Sequence, residues 1–184
     1  VVNLSAFETF FQEKRPFFLE GSQIFTNYGR TGSNDFWGFN NSEPQIFYSR
    51  RIGRAPQVSV DGDPEHKDTP AATTILGAAK LTGKTSSGWS MGFLNAVTSA
   101  EQARTFKELR HDTFTVEPLT NYSVIRLQRD TGGRVGAGLL STLVNRRLDT
   151  DAMRKGLVAS AAVFGADAHV FLDSKKDWVI VGNI

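Results

Sequence analysis

Residues Ile75–Thr98, ILGAAKLTGKTSSGWSMGFLNAVT, read as two strands joined by a tight turn. With Ser86, Ser87 and Gly88 as the connection, Thr85 falls opposite Trp89, Gly83 opposite Met91, Leu81 opposite Phe93 and Ala79 opposite Asn95. One face then carries Ile75, Ala79, Leu81, Trp89, Met91, Phe93 and Val97. The other carries Lys80, Thr82, Lys84, Ser90, Gly92 and Thr98, with Leu76 and Leu94 as exceptions. A period of two is what a half-buried strand requires, and small polar residues at the bend suit a short hairpin.

Two further pairs follow the same grammar. Asn121–Asp130 returns through Thr131, Gly132 and Gly133 into Arg134–Arg146, which gathers Ile125, Leu127, Val135, Ala137, Leu139 and Leu143 on one face. Arg126, Gln128, Asp130, Arg134, Gly136 and Gly138 fall on the other. Val158–Leu172 and Trp178–Ile184 form the third pair across Asp173–Asp177, with Phe164, Ala166, Ala168 and Val170 on one side and Asp167 and His169 on the other. About six strands of roughly ten residues, joined by short turns and long polar segments in alternation, match the pattern of an outer-membrane β-barrel. A soluble antiparallel barrel or sandwich shows the same alternation with its apolar face turned inward, so the period alone leaves both orientations open.

Composition sets outer limits. The 184 residues are 40% hydrophobic, and 21 basic against 19 acidic residues give a formal charge of +2. The charges are dispersed, and beyond YSRRIGR at Tyr48–Arg54 there is no basic block, so nucleic acid is not an expected partner. Cysteine is absent, which excludes disulfides and thiolate metal sites. No run of eighteen apolar residues exists, so a transmembrane helix is excluded, whereas tilted strands of about ten residues remain allowed. The chain opens at Val1 without a signal-peptide pattern and is read as a segment of a longer polypeptide, because a barrel of at least eight strands needs more chain than this.

Residues 1–70 differ from residues 71–184, which hold the hairpins. Twelve of the twenty aromatic residues lie in the first 48 positions, among them Phe7, Phe10, Phe11, Phe17, Phe18, Phe25, Phe36, Trp37, Phe39 and Phe47. Such density can stack on sugars or bases, but its commoner use is to pack irregular backbone against a scaffold. The aromatic part is read as a plug, a periplasmic segment or a first strand. Pro16 and Gly21 break any long helix there, and 29–44 and 55–70 read as loops.

The blocks FETFFQEKRPFFLEGSQIF, IFYSRRIGR, ILGAAKLTGKT, GWSMGFLNAVT and EPLTNYSVIRLQRD, in this order and spacing, resemble a family of bacterial envelope proteins of unknown function. The resemblance covers roughly Asn3 to Arg147. In that family the region commonly follows a carbohydrate-binding module of the family-nine type and is expected to form an outer-membrane β-barrel. The resemblance therefore implies an outer-membrane location, the lipid bilayer as a partner, and carbohydrate and other envelope proteins as further partners. Members are often labelled hydrolases or carbohydrate-binding proteins, and the resemblance brings no catalytic residues with it. The fold expectation is all-β: part of an antiparallel up-and-down outer-membrane barrel with an aromatic-rich, irregular N-terminal part. Leu81, Trp89, Met91, Phe93, Leu127, Leu139 and Phe164 face lipid in this reading. Lys80, Lys84, Arg126 and Arg134 line the lumen, where such charges favour anionic solutes or pair with carboxylates.

Three motifs compete. Gly88-Trp89-Ser90-Met91-Gly92 satisfies G-x-S-x-G, a nucleophile elbow if a helix follows, with His169 as base and Asp149 or Asp151 as acid. Against it, Trp89, Met91 and Phe93 alternate with Ser90 and Gly92 as a strand would. GAAKLTGKT at Gly77–Thr85 imitates a phosphate loop with five residues between the glycines instead of four, and no cofactor is expected. Asp61, Asp63 and Glu65 concentrate hard oxygen ligands for a cation, but His66 stands where an EF-hand loop needs Gly, and a solvated loop is the favoured reading.

Overall fold

The computed structural model describes residues 11–29, 46–60, 64–107 and 110–184. Nine strands occur among them: β1 His66–Asp68, β2 Ile75–Lys84, β3 Trp89–Thr98, β4 Glu101–Lys107, β5 Arg110–Glu117, β6 Thr120–Thr131, β7 Val135–Arg146, β8 Ser160–Phe171 and β9 Val179–Asn183. Three short helices accompany them, α1 Pro16–Leu19, α2 Gln23–Thr26 and α3 Asp151–Gly156. The protein is all-β and antiparallel. One sheet has the order β2-β3-β6-β7-β8-β9, and a smaller one has the order β1-β4-β5.

The six-stranded sheet is a meander interrupted once. Its hairpin registers follow the sequence pattern: Leu81 pairs with Phe93, Gly83 with Met91, and Leu127 with Leu139. Gly132 and Gly133 close the β6–β7 turn with φ of 58° and 66°, the consecutive left-handed conformations of a type I′ turn. Gly88, at φ 87°, is fixed twice over, since a Cβ there would lie 2.2 Å from the Asp130 carbonyl oxygen. In the β8–β9 turn the Asp173 carboxylate accepts the backbone N–H groups of Trp178 and Lys175, both at 3.0 Å. These bonds to the charged form hold its pKa below the usual aspartate range.

Between β3 and β6 the chain leaves the sheet to build β4 and β5, which the sequence pattern had not revealed. Alternation is present there, with Ala103, Thr105 and Val116 buried, but β1 lies inside the 55–70 stretch read as loop and supplies only three residues of pairing. Tight turns therefore sit at one end of the large sheet. The β4–β5 excursion and the α3 connection, N-capped by Thr150, sit at the other.

Its two faces differ in what covers them. On one, Leu94, Ala96, Tyr122, Val124 and Leu140 share a core with Phe18, Phe25, Tyr28 and Ile52 of the N-terminal segment. Residues 11–29 and 46–60 thus lie as a strap across this inner face. Bare glycines let the strap approach: a Cβ on Gly92 would come 2.8 Å from the Phe25 ring, and one on Gly165 would come 2.3 Å from the Tyr28 hydroxyl. Gly165→Val is expected to lift the strap at a cost of about 1–3 kcal/mol of overpacking, read as faster proteolysis of the N-terminal segment with the sheet's circular dichroism retained.

The opposite face has no cover among the described residues. Leu81 is 73% exposed, Leu139 60% and Phe164 72%, and Trp89, Met91, Phe93, Ile125 and Leu127 are also exposed beside them. Two apolar grooves of about 730 and 630 Å³ run along this face.

Candidate functional site

The inner face holds the sheet's concentration of buried polar chemistry. Arg126 on β6 and Asp167 on β8 flank β7, with Gly138 between them in register with Asp167. Because Gly138 has no side chain, the guanidinium lies across β7 and makes two parallel bonds to the carboxylate, of 2.6 and 2.7 Å. A Cβ at Gly138 would stand 2.7 Å from Asp167 Oδ1 and 2.8 Å from both terminal nitrogens of Arg126. Both side chains are fully shielded from solvent. Breaking a pair this deep by removing one member is strongly destabilising.

The strap completes this centre. The Gly29 N–H donates to Asp167 Oδ2 at 3.1 Å, and the Arg126 guanidinium lies 5.6 Å from the centre of the Tyr28 ring. The Tyr28 hydroxyl sits against the carbonyl oxygens of Ala166 and Ile184. Burial, and secondarily the Asp167 charge, raise its pKa above the ordinary tyrosine value.

Toward the tight-turn end the inner face stays polar. Cross-strand pairing aligns Lys84, Ser90, Gln128, Gly138, Asp167 and Asn183 in one row, and Asp130, Gly136 and His169 in the next. His169 is 6% exposed, leans over Gly136 with its edge toward Phe171, and leaves Nδ1 without a hydrogen bond.

A second anchor ties the strap to itself. Glu13 accepts from Arg15 Nη2 at 2.7 Å, Arg15 Nε at 2.9 Å and Ser49 Oγ at 2.6 Å, while Arg15 also donates to the Ile52 and Ser49 carbonyls. The Arg15 bond foremost, opposed by burial, drives the Glu13 pKa far below the usual carboxylate range. A depressed folded-state value means that the stabilisation is complete above the unfolded pKa and drains away as pH falls through the acid range. Proteolysis of the strap should therefore accelerate in acid for the wild type, and Glu13→Gln should be cut faster at neutral pH with a flatter acid response. Farther along, buried Glu117 accepts from the Gln57 backbone N–H and its side-chain amide, at 2.9 and 3.1 Å. Burial lowers the pKa of neighbouring Arg54, with Tyr122 and Glu117 acting in the opposite direction.

The sequence-derived candidates distribute as follows. Ser90 lies within β3 and strand continues to Thr98, so no helix follows the G-x-S-x-G match. β6 and β7 separate Ser90 from His169, on the order of 14 Å along the sheet. Asp149 lies beyond the far end of β7, exposed and bonded to Arg147 Nε at 3.1 Å, and Asp151 sits exposed in α3 beside Arg154. The three members of the hydrolase reading are not brought together. Lys80 reaches the strap carbonyls of Phe17 and Glu20, Lys84 is exposed on the same side, and Arg126 forms the buried pair. Arg134 lies in the β6–β7 turn, just before β7, and donates to the Leu172 carbonyl at 3.2 Å. Asp61 and Asp63 lie outside the described residues, while Glu65 is exposed just before β1. Among the described residues no cluster of three or more His, Asp or Glu side chains is arranged to hold a metal. Asp167, Tyr28 and Glu13 were missed as partners. For Asp167 a signal existed, since two opposite charges at inward positions of one sheet call for each other.

The fold and the site define an all-β protein whose large sheet is apolar and uncovered on one face and strapped, with a buried ion pair, on the other. A family model described as a domain of unknown function, DUF5916, matches residues 1–183, and the chain belongs to that family. Neither the curated proteins nor the solved structures give a match.

Proposed function

We propose that this chain supplies wall strands and an internal strap to a bacterial outer-membrane β-barrel that binds or passes carbohydrate or a related ligand at the cell surface, with no chemistry in this segment. The observation that carries the membrane half is the uncovered apolar face, led by Leu81, Leu139 and Phe164, while the opposite face is the one covered by the strap and holding the core and the buried ion pair. Soluble monomers rarely display contiguous apolar surface beyond a few hundred Å². The face also has the right height. From Val135 to Leu143 the outward residues of β7 cover about 27 Å of strand, which at a barrel tilt of about 40° rises about 21 Å, near the roughly 25 Å band of such proteins.

Both borders of that band support the same orientation. Trp89 and Trp178 stand at the tight-turn end, where aromatic side chains prefer the membrane interface. At the other end Asn95 bonds to Asn121 and Ser123, and Ser160 to Asn145, forming a polar ladder on the outward face. Short turns at one end and long connections at the other suit periplasmic and extracellular sides respectively. β2 and β9 have free outer edges among the described residues, and closure of the barrel by further strands is part of the proposal. The absence of any described helix long and apolar enough to cross a membrane has no bearing on strands. The ligand half rests on the sequence resemblance and on the polar inner rows.

The test is extraction and gel migration of the polypeptide that carries this segment. Membrane-fraction recovery, detergent dependence and a band that shifts between unheated and boiled samples are expected. Solubility without detergent and identical migration would overturn the membrane half. Proteoliposomes that neither retain nor admit oligosaccharides beyond the empty-vesicle level would overturn the ligand half.

A further inference from the structure

We propose that the trough beside Trp89 and Arg129 on the outward face is a seat for one anionic phospholipid, a reading that rests on the membrane orientation proposed above. The seat begins with an anomaly of charge. Arg129 lies on the outward row of β6, paired in register with Trp89 on β3 and Ala137 on β7. Its guanidinium stands 5.3 Å from the Trp89 ring centre, and no ion pair forms to it among the described residues. An uncompensated cation on a lipid-facing wall is costly unless it reaches the interface and meets an anion there. Trp89 marks that depth, because indole rings favour the headgroup level.

Next to this cation the wall recedes. Along one row Met91, Leu127 and Leu139 give way to Ala166, along the next Trp89 and Arg129 give way to Ala137, Ala168 and Gly182, and the resulting trough of about 730 Å³ is nearly all apolar. Its size falls in the range of small-molecule sites, about 300–1,000 Å³. A planar guanidinium matches a phosphate diester through two parallel bonds, better than a point-charge ammonium does. The trough beneath then accepts an acyl chain lying against Leu127, Leu139 and Ala166. The tight-turn end is the periplasmic end in this class of barrel, so the seat faces the leaflet in which phospholipid headgroups lie.

The full-length protein, incorporated into nanodiscs of equal phosphatidylglycerol and phosphatidylcholine, is released into mild detergent and its retained lipid identified by native mass spectrometry. One arginine beside an anionic lipid is worth about 1 kcal/mol, so retention should favour phosphatidylglycerol by about fivefold. Arg129→Gln should bring that ratio to parity, and Ala168→Phe, which fills the trough with another apolar group, should lower retention of both lipids. Equal retention by the wild type, an unchanged ratio in Arg129→Gln, or a second protein copy covering the face without lipid would overturn the seat. A wild type that migrates identically before and after boiling fails earlier, at the barrel reading, and the two failures are thereby distinguished.

Discussion

Arg126→Ala is expected to destabilise the folded protein by about 3–5 kcal/mol, the cost of breaking a buried ion pair by removing one member. Asp167 is wholly shielded, and it also accepts the Gly29 N–H at 3.1 Å. Losing the guanidinium therefore both removes two charge-assisted bonds from a shielded carboxylate and loosens the point where the strap meets β8. Urea unfolding in detergent, followed by tryptophan emission, measures the first effect, and protease cleavage near Tyr28 measures the second. The double replacement Arg126→Met with Asp167→Leu should recover most of the loss, since apolar residues of similar bulk commonly replace such pairs without penalty. An Arg126→Ala protein within about 0.5 kcal/mol of wild type, the usual range for surface changes, would mean that the pair is not buried as described.

Leu139→Arg is the second large effect, and its size depends on what bathes the outer face. Leu139 is 60% exposed and sits between Leu127 and Ala166 in the middle of the apolar rows. In water, a change at so exposed a position stays within about 0.5 kcal/mol. In hydrocarbon, arginine near the bilayer midplane costs about 2–4 kcal/mol. Leu119→Arg is the internal control, because Leu119 is exposed beyond the polar ladder at the long-connection end. Unfolding from lipid vesicles should therefore separate the two variants by at least about 2 kcal/mol, reflecting the depth dependence of such substitutions. Equal, near-neutral behaviour of both would remove the membrane orientation.

What could be read in advance divides along physical lines. The registers of the β2–β3 and β6–β7 hairpins were legible because a tight turn and a period-two pattern together leave one alignment: Leu81 against Phe93 and Leu127 against Leu139. The β4–β5 pair was not, because Glu101, Arg104, Lys107 and Arg110 give it a polar, exposed surface and its third strand is only three residues long. Inward placement of Arg126 followed from parity. Its partner did not, because Asp167 lies 41 residues away and two strands across. The hydrolase motif shows the converse. Ser90 satisfied a local string, but catalysis needs a base within hydrogen-bond reach, and a residue's position in a string carries no information about the width of the sheet between it and a distant histidine. The aromatic N-terminal part announced packing through its density, yet only the glycines at 92 and 165 reveal where it packs.

The strap has one more consequence, for the order in which this molecule is made. Phe18, Phe25, Tyr28 and Ile52 precede every strand of the large sheet in the chain, yet they supply a large part of the core on its covered face. A polypeptide emerging N-terminus first thus presents the strap before the sheet it covers. In the barrel proposed above, that order would let the hairpins close around the strap, with no need to thread it through a finished wall.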